Sequence, residues 1–368
     1  MDGNIKNEKI ELMELSFISK LKVIDLSTVL AGPSVGTFFA ELGAQVLKIE
    51  NAAIPDVTRS WKLPSENQDS TISAYFSSVN YRKEYLQLNL KSEVDYLQFL
   101  DLVKDADILI SNFKFGDEAK MKLTDEHLRA INSNLIIGKI NGFGSDCDRV
   151  AYDLILQAES GFMSMNGTPE SGPVKMPVAF IDVLAAHQLK EGLLLALLER
   201  QLNGKAKTVE VSLYDAAICS LVNQASNYLM AKKIPERIGS LHPNIAPYGE
   251  IFETKDQQLI TFAIGSPIHF EKLCFFLGLE KIIVDTRFSS NQNRVINRQL
   301  LFEIMQVRIV DFTADELLSN MLQQHVPAGK IKNLEAVFAE KKAQDLVRSE
   351  VIDDIETKRL TSIAFKWK

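Results

Sequence analysis

Asp182 is the side chain in this sequence whose type and position best suit covalent chemistry. It follows a glycine- and proline-rich loop at residues 167–181 and precedes an apolar helix predicted over 183–202. The unpaired N–H groups and positive dipole end of a helix N-terminus stabilise a carboxylate, so the sequence predicts that Asp182 is an ionised N-cap. An ionised carboxylate delivered by a loop is a plausible nucleophile, and an ordinary helix cap is the alternative.

The helix after Asp182 predicts a buried or interfacial element. The run 193–198 is apolar on every face, and Asn203-Gly204 provides a C-terminal stop signal. A helix that is apolar all round is either buried on all sides or lies in a subunit interface.

Composition restricts the class of protein. The chain has 368 residues, which favours two domains, and its 46% hydrophobic content is ordinary for a globular protein. It carries 41 basic and 48 acidic residues, a net charge of −7, without a notable basic run. This balance argues against a nucleic-acid binder.

The cysteines and the hydropathy pattern predict a soluble cytoplasmic protein. Cys147, Cys219 and Cys274 are scattered without metal-ligand spacing, so we expect no metal site and a reducing compartment. The charged first residues do not resemble a secretory signal. No apolar run approaches the ~20 residues that a membrane span needs.

Alternating strands and helices predict an α/β fold with a parallel sheet. Strands are expected at 21–28, 45–50, 107–112, 135–140 and 207–213, with helices between them. A smaller α+β domain is expected to follow, with a hairpin at 249–264 and helices at 267–277, 293–311 and 313–324. The segment 362–366 has the pattern of a final strand.

The first strand–helix–strand unit raises an alternative, a nicotinamide-linked oxidoreductase. Glu50 ends the second strand about where a ribose-binding acid would lie. The G-x-G-x-x-G fingerprint is absent, however, because Gly32 is followed by Pro33 and the next glycine is Gly36. The glycine pattern therefore argues against this alternative.

Several short motifs, in order along residues 21–338, resemble the class III CoA-transferase family, which includes formyl-CoA and carnitine-linked transferases and α-methylacyl-CoA racemase. The matching stretches lie at 23–33, 41–50, 56–59, 80–83, 112–116, 141–144, 152–161, 182, 242–248 and 326–329. Each motif is weak alone, and their order and spacing make the resemblance specific.

The resemblance implies a particular architecture. It predicts a Rossmann-like large domain built from both chain ends, with its first part at 16–213. A helix and linker at 214–245 would lead to a small α+β domain at 246–325, and 326–368 would return to the large domain. Family members are similar in forming interlocked homodimers, so we expect one here.

The resemblance also assigns roles around Asp182. It implies that Asp182 attacks an acyl-CoA thioester, forming first an aspartyl anhydride and then an aspartyl-CoA, and that a carboxylic acid is the acceptor. Tyr152 and Asp153 match a pair beside the family's catalytic aspartate. The racemases carry a histidine at position 152, and a tyrosine, which titrates near ~10, is a poor base at neutral pH. Tyr152 therefore favours a transferase over a racemase-type epimerase.

The expected ligand is coenzyme A as a substrate, with no permanently bound cofactor. The resemblance places the coenzyme against Leu30, Ala31, Asn80, Arg82, Lys83 and Lys120. Leu30 and Ala186 depart from the family pattern and argue against formyl-CoA and oxalate as substrates. They also leave open a non-catalytic member that binds acyl-CoA.

Overall fold

A computed structural model describes residues 17–51 and 53–366 of the chain. Its first part contains two 3-10 turns, Ile18–Lys20 and Val57–Ser60. The strands and helices of this part are β1 (Lys22–Asp25), α1 (Ala31–Glu41), β2 (Gln45–Glu50), α2 (Ala74–Ser78), β3 (Glu84–Gln87), α3 (Glu93–Lys104), β4 (Ile108–Ser111), α4 (Asp117–Lys120), α5 (Asp125–Ile131), β5 (Ile136–Asn141), α6 (Asp153–Glu159), α7 (Phe162–Met165), α8 (Phe180–Asn203), β6 (Thr208–Ser212), α9 (Leu213–Cys219) and α10 (Val222–Ala231).

Six of these strands form one parallel sheet. Its order is β3-β2-β1-β4-β5-β6, with Ile24 of β1 opposite Leu47 of β2 on one side and Leu109 of β4 on the other. The α/β prediction is therefore confirmed. The strand order reverses between β1 and β4, and ligands of open α/β sheets bind at the carboxyl ends of the strands beside such a reversal.

Both faces of the sheet are covered, which explains the continuous apolar strands. In β4, Ile108 and Ile110 pack on one face with Leu189 of α8, whereas Leu109 packs on the other face with Phe99 of α3. Successive strand residues point to opposite faces, so a strand buried on both sides is apolar at most positions.

Helix α8 is the longest element and is only partly covered. It begins at Phe180, three residues before the predicted start, and ends at Gly204, whose left-handed backbone (φ +66°) is a typical helix stop. Its inner face is buried, but Leu195, Leu198 and Leu202 are 67%, 54% and 71% exposed. Of the two predicted alternatives, burial on all sides within one chain is excluded, and a place in a subunit interface stays a prediction.

The following elements are β7 (Tyr248–Glu253), β8 (Leu259–Ala263), α11 (Pro267–Leu277), α12 (Glu280–Ile283), α13 (Asn291–Ile296), α14 (Arg298–Ile309), α15 (Ala314–Gln323), β9 (Ala328–Lys330), α16 (Leu334–Phe338) and α17 (Lys341–Gln344). They belong to a second compact unit, Ser164–Val174 and Pro235–Gln344. The predicted hairpin is present as β7 and β8, and β9 pairs antiparallel with β8, placing Lys330 opposite Ile260. The predicted return to the large domain at residue 326 is therefore too early.

The chain rejoins the first unit at Asp345 and forms the hairpin β10 (Val347–Ile352) and β11 (Ile355–Leu360). Arg359 of β11 forms a buried ion pair with Glu41 of α1 at 3.1 Å and donates to the Ser78 carbonyl at 3.2 Å. The Ser362 N–H donates to Glu41 at 2.7 Å. The strand predicted at 362–366 is wrong, because this segment bonds to the end of α1 and joins no sheet. No described helix is both long enough and apolar enough to cross a membrane.

Candidate active site

Asp182 lies inside the first turn of α8, as its third residue, and the N-cap position belongs to Ala179. Only 8% of Asp182 is exposed. Burial, reinforced by the negative charge of Asp153, raises its pKa to about 7. The prediction that the helix end keeps Asp182 ionised is therefore wrong: loss of hydration outweighs the helix dipole, and near neutral pH the protonated and ionised forms are both populated.

Asp153 provides the capping carboxylate that the sequence had assigned to Asp182. It lies on α6, and its Oδ1 accepts the N–H of Ile181 in the first turn of α8 at 2.7 Å. Its Oδ2 accepts from Gln157 at 2.6 Å, and the Gln157 carbonyl accepts the Met176 N–H at 2.8 Å. Asp153 therefore fixes the start of α8, and with it the Asp182 backbone, through a contact across 28 residues of sequence.

Asp182 faces a cavity of about 200 Å³ at the carboxyl ends of β1, β4 and β5. The cavity is lined by Thr28, Val29, Leu30, Ala31, Asn112, Phe113, Lys114, Phe115, Ile140, Asn141, Gly142, Cys147, Asp148, Arg149, Val150, Ala151, Tyr152, Asp182 and Leu213. The structure thus brings together four residues that the sequence singled out, namely Leu30, Ala31, Tyr152 and Asp182.

The first turn of α1 supplies hydrogen-bond donors to this cavity. The backbone N–H groups of Leu30 and Ala31 have no partner within residues 17–51 and 53–366. Gly32 lets the turn approach the end of β1, because a Cβ there would lie 2.3 Å from Cβ of Ser27. Free N–H groups at a helix start are suited to stabilising an oxyanion that forms on a ligand.

Aromatic side chains near Asp182 were not found from the sequence. Trp61 lies with its ring centroid 6.5 Å from that of Tyr152 and 5.2 Å from that of Tyr75. Burial, together with the charges of Asp182, Asp153 and Asp56, raises the pKa of Tyr75 to about 12, so its hydroxyl stays a donor. These residues lie in a segment without regular hydrophobic periodicity, and only the fold brings them to the site.

Two residues expected to bind the coenzyme have a different role. The Lys83 ammonium is buried and contacts Asp25 at 2.8 Å, Asn80 Oδ1 at 2.9 Å, and the Pro33 and Val79 carbonyls at 2.8 and 3.0 Å. Asn80 is fully buried as well. These contacts use the donors that a phosphate would need, so the expected coenzyme contact of Asn80 and Lys83 is not supported.

The other two expected cations lie on the surface. Arg82 precedes β3 and so lies at the amino edge of the sheet, opposite the cavity, where its N–H donates to Glu350 at 3.0 Å. This position does not support contact with a ligand of the Asp182 cavity. Lys120 is exposed at the end of α4 and pairs with Asp117 at 2.8 Å. It is adjacent to Ala119, which lines a neighbouring cavity.

Two further cavities extend the site along the carboxyl edge of the sheet. One, of about 320 Å³, lies beyond β4 and β5, and the other, of about 140 Å³, lies beyond β1 to β3 and is lined by Asn51 and Lys91. Phe113 lines all three cavities. The three cavities form a row along this edge, here called the trough, an arrangement suited to a long ligand. No group of three or more His, Cys, Asp or Glu residues among the described positions is arranged to hold a metal ion.

An open α/β sheet with a cavity and a buried carboxylate at its strand reversal is typical of α/β enzymes. A family model described as CoA-transferase family III matches residues 18–368. The succinate–glutarate CoA-transferase of Agrobacterium fabrum is 35% identical, over 89% of this chain and 83% of that protein. The succinyl-CoA:glutarate CoA-transferase of Mus musculus is 32% identical, over 87% and 73%. The crystal structure of a CAIB/BAIF family protein from Brucella suis superposes with a TM-score of 0.80 at 33% identity, covering 95% of this chain and 92% of that one.

The chain therefore belongs to CoA-transferase family III, and it is a CoA-transferase. The family resemblance and the enzyme class predicted from the motifs are both confirmed. The nicotinamide-linked alternative is set aside.

Proposed function

We propose that this protein transfers coenzyme A between carboxylic acids with Asp182 as the covalent nucleophile. The observation that carries the proposal is a buried carboxylate that has no hydrogen bond or ion pair with the described residues, and whose pKa is raised to about 7 by burial and by Asp153. A carboxylate stripped of hydration is more nucleophilic than one in water, and a pKa near neutrality keeps a useful fraction ionised.

The chemistry balances without an external proton. An Asp182 oxygen attacks the thioester carbonyl, the C–S bond breaks, and an aspartyl–acyl anhydride and CoA thiolate form. The thiolate attacks the aspartyl carbonyl and releases the donor acid, leaving an aspartyl-CoA thioester. The acceptor carboxylate attacks this thioester and forms a second anhydride with loss of thiolate. Attack of the thiolate on the acceptor carbonyl gives the new acyl-CoA and frees Asp182.

Neighbouring groups support each step. The free N–H groups of Leu30 and Ala31 stabilise the oxyanion that forms at the attacked carbonyl. The hydroxyl of Tyr75, which stays protonated, is a donor in the same region. Asp153 acts by holding the start of α8, since both of its oxygens are engaged by protein donors.

The coenzyme lies along the carboxyl edge of the sheet in this proposal. The thioester occupies the Asp182 cavity, and the rest of the molecule follows the trough that passes Phe113. Lys91 lines the smaller neighbouring cavity, and Lys120 follows Ala119, which lines the larger one, so both are candidates for contact with its phosphates. Lys114 and Lys139 line the larger cavity directly, and Lys139 is already paired with Glu118 and Asp125.

The acceptors are proposed to be dicarboxylic acids. The Agrobacterium and mouse relatives are named for succinate and glutarate. In this chain, Lys114 and Arg149 line the Asp182 cavity, and the Arg149 guanidinium lies 4.0 Å from the Phe143 ring centroid, where it also pairs with exposed Glu159. A cation held on an aromatic ring at the cavity wall suits a second carboxylate.

The active form is proposed to be a homodimer. The exposed face of α8, Leu195, Leu198 and Leu202, borders a groove of about 370 Å³ that also includes Val209. The leucines form an apolar stripe on a helix that otherwise packs in the core, as expected of a surface covered by a second copy.

Trapping the intermediate tests the nucleophile. The protein is incubated with succinyl-CoA and then with hydroxylamine, and peptides are mapped by mass spectrometry. We expect a hydroxamate at Asp182 only, and none in Asp182→Asn. In a separate incubation without hydroxylamine, succinyl-CoA and glutarate in deuterated water should yield glutaryl-CoA without deuterium at the α-carbon. Transfer by Asp182→Asn at the native rate would refute the mechanism, and α-deuterium without transfer would identify an epimerase. No histidine lines the Asp182 cavity to serve such an epimerase as its base.

A further inference from the structure

The chain enters α1 through a strained turn at residues 27–29, between β1 and the cavity. Val29 has φ +74°, a left-handed conformation that is costly for a β-branched residue. The next two residues, Leu30 and Ala31, line the Asp182 cavity, and their N–H groups have no hydrogen-bond partner among the described residues. The direction of those N–H groups therefore depends on the conformation of Val29.

Side chains from distant segments hold the backbone of this turn. The Ser27 N–H donates to Asp25 at 3.0 Å, and the Ser27 carbonyl accepts from Lys48 at 2.7 Å. The Thr28 N–H and carbonyl both bond to the Asn112 amide, at 3.0 and 2.8 Å. A strained conformation persists only when its surroundings over-determine it, and this turn meets that condition.

Asp56 is the side chain that holds the strained residue itself. Its two carboxylate oxygens accept the Val29 N–H at 3.3 and 3.2 Å. It also pairs with Lys48 at 3.2 Å, and both side chains are fully buried. Oδ1 accepts further from the N–H and hydroxyl of Thr58, at 3.0 and 2.7 Å. Asp56 is therefore fixed in place and carries the only contact between the Val29 N–H and another side chain among the described residues.

We propose that Asp56 is a positioning residue for acyl transfer, which rests on the proposed function of Asp182. By accepting the Val29 N–H, Asp56 keeps this turn left-handed and so directs the Leu30 and Ala31 N–H groups to the carbonyl oxygen that Asp182 attacks. The carboxylate does not contact the substrate. Without it, Val29 relaxes toward negative φ and the two donors turn away from the reacting atom.

A purely structural role for Asp56 makes a different prediction. In that case its loss lowers the amount of folded protein and leaves the turnover of the folded fraction unchanged. A positioning role lowers kcat and leaves acyl-CoA binding nearly intact, because the N–H groups act mainly on the transition state. A glycine at position 29 distinguishes the two further, because glycine adopts positive φ without strain.

The experiment compares Asp56→Asn with the double variant Asp56→Asn/Val29→Gly. We expect Asp56→Asn to lower kcat about 100-fold, the size of effect of a misplaced oxyanion donor, with the Kd for CoA within about 3-fold of native. Adding Val29→Gly should restore kcat at least about 10-fold, because the turn no longer needs a tether. Val29→Gly alone completes the cycle. If Asp56→Asn does not fold, both arms are repeated with Lys48→Gln added, which removes the unpaired buried charge.

Glu41→Gln is the matched control. It breaks another buried ion pair, with Arg359 at 3.1 Å, at the opposite end of α1. We expect it to lower thermal stability while kcat stays within about 2-fold of native. An unchanged kcat in Asp56→Asn, or a loss that Val29→Gly does not restore, would overturn the positioning role.

The trapping reaction keeps the two proposals separate. If native protein forms no hydroxamate at Asp182, the nucleophile proposal fails. If native protein forms it and Asp56→Asn forms it at the native rate, only the positioning proposal fails.

Discussion

Asp182→Asn should make the protein more stable and, at the same time, inactive. Asparagine has nearly the shape of aspartate and carries no charge. Since the Asp182 carboxylate has no hydrogen bond within residues 17–51 and 53–366, the substitution removes only the cost of burying a negative charge. The buried charge that the mechanism needs therefore lowers the free energy of unfolding, and the substitution removes this cost, as expected where function opposes stability.

The size of the effect follows from the pKa, which rises from 3.8 to about 7 on folding. Below pH 3.8 the Asp182 carboxyl is protonated in both the folded and the unfolded state, so it does not lower the free energy of unfolding. Above pH 7 both states are ionised and the full cost applies, about 4 kcal/mol at ~1.4 kcal/mol per pH unit. At pH 5 the cost is about 2 kcal/mol. Native protein therefore loses stability relative to Asp182→Asn as the pH rises from about 4 to 7.

Urea unfolding at pH 5 and pH 8 measures this difference. We expect Asp182→Asn to be more stable than native at both values, with a gain about 3 kcal/mol larger at pH 8, since the cost grows by ~1.4 kcal/mol per pH unit from pH 5 to pH 7. Asp101→Asn is the control, because Asp101 is exposed and its ion pair with Lys104 lies at the surface, where such a pair contributes little to stability. Equal gains at the two pH values, or a less stable Asp182→Asn, would refute the assignment of a buried, unpartnered charge.

Four further predictions follow from the site. Because only ionised Asp182 attacks, kcat/KM should rise with pH and level off above an apparent pKa near 7; a flat profile from pH 5 to 8 would contradict this. Arg149→Gln should raise KM for succinate about 10-fold or more and leave propionate unchanged, in steady-state assays with each acceptor. Gly32→Ala places a Cβ 2.3 Å from a side-chain atom at the end of β1, so kcat should fall at least about 10-fold while CoA still binds. Leu198→Glu should yield monomers in sedimentation velocity, whereas Leu97→Glu, an exposed position on α3, should not.

The sequence predicted the parallel sheet because its strands carry a local signal. β2 occupies the predicted residues 45–50, since Val46, Leu47 and Ile49 form a β-branched and apolar run that follows the turn at Gly43. Asp182 was also identifiable, as an acid at the start of an apolar helix. The motif at 112–116 contained a further signal, because Asn112 follows the carboxyl end of β4, where ligands of open sheets bind.

The environment of these residues was not predictable, because it depends on contacts between distant segments. The start of α8 is set by Asp153 on another helix, so the nearby sequence could not show that Asp182 lies inside the first turn. Lys83 resembles a surface cation in sequence. It is buried because Gly36 leaves room for it beside Asp25, where a Cβ would lie 3.2 Å from the lysine Nζ.

The hairpin of β10 and β11 has a consequence for how the protein is made. Glu41 is translated early, yet its partner Arg359 and the Ser362 N–H follow the whole second unit in the chain. While the ribosome is still producing residues 235–344, the end of α1 holds an acid whose ion-pair partner, Arg359, has not yet been made. The sheet can form on the ribosome, but the contacts of Glu41 with Arg359 and Ser362 at the end of α1 form only after the hairpin emerges. A nascent chain stalled before residue 359 should therefore be an easy substrate for chaperones and proteases, even though every residue of the Asp182 cavity has already been synthesised.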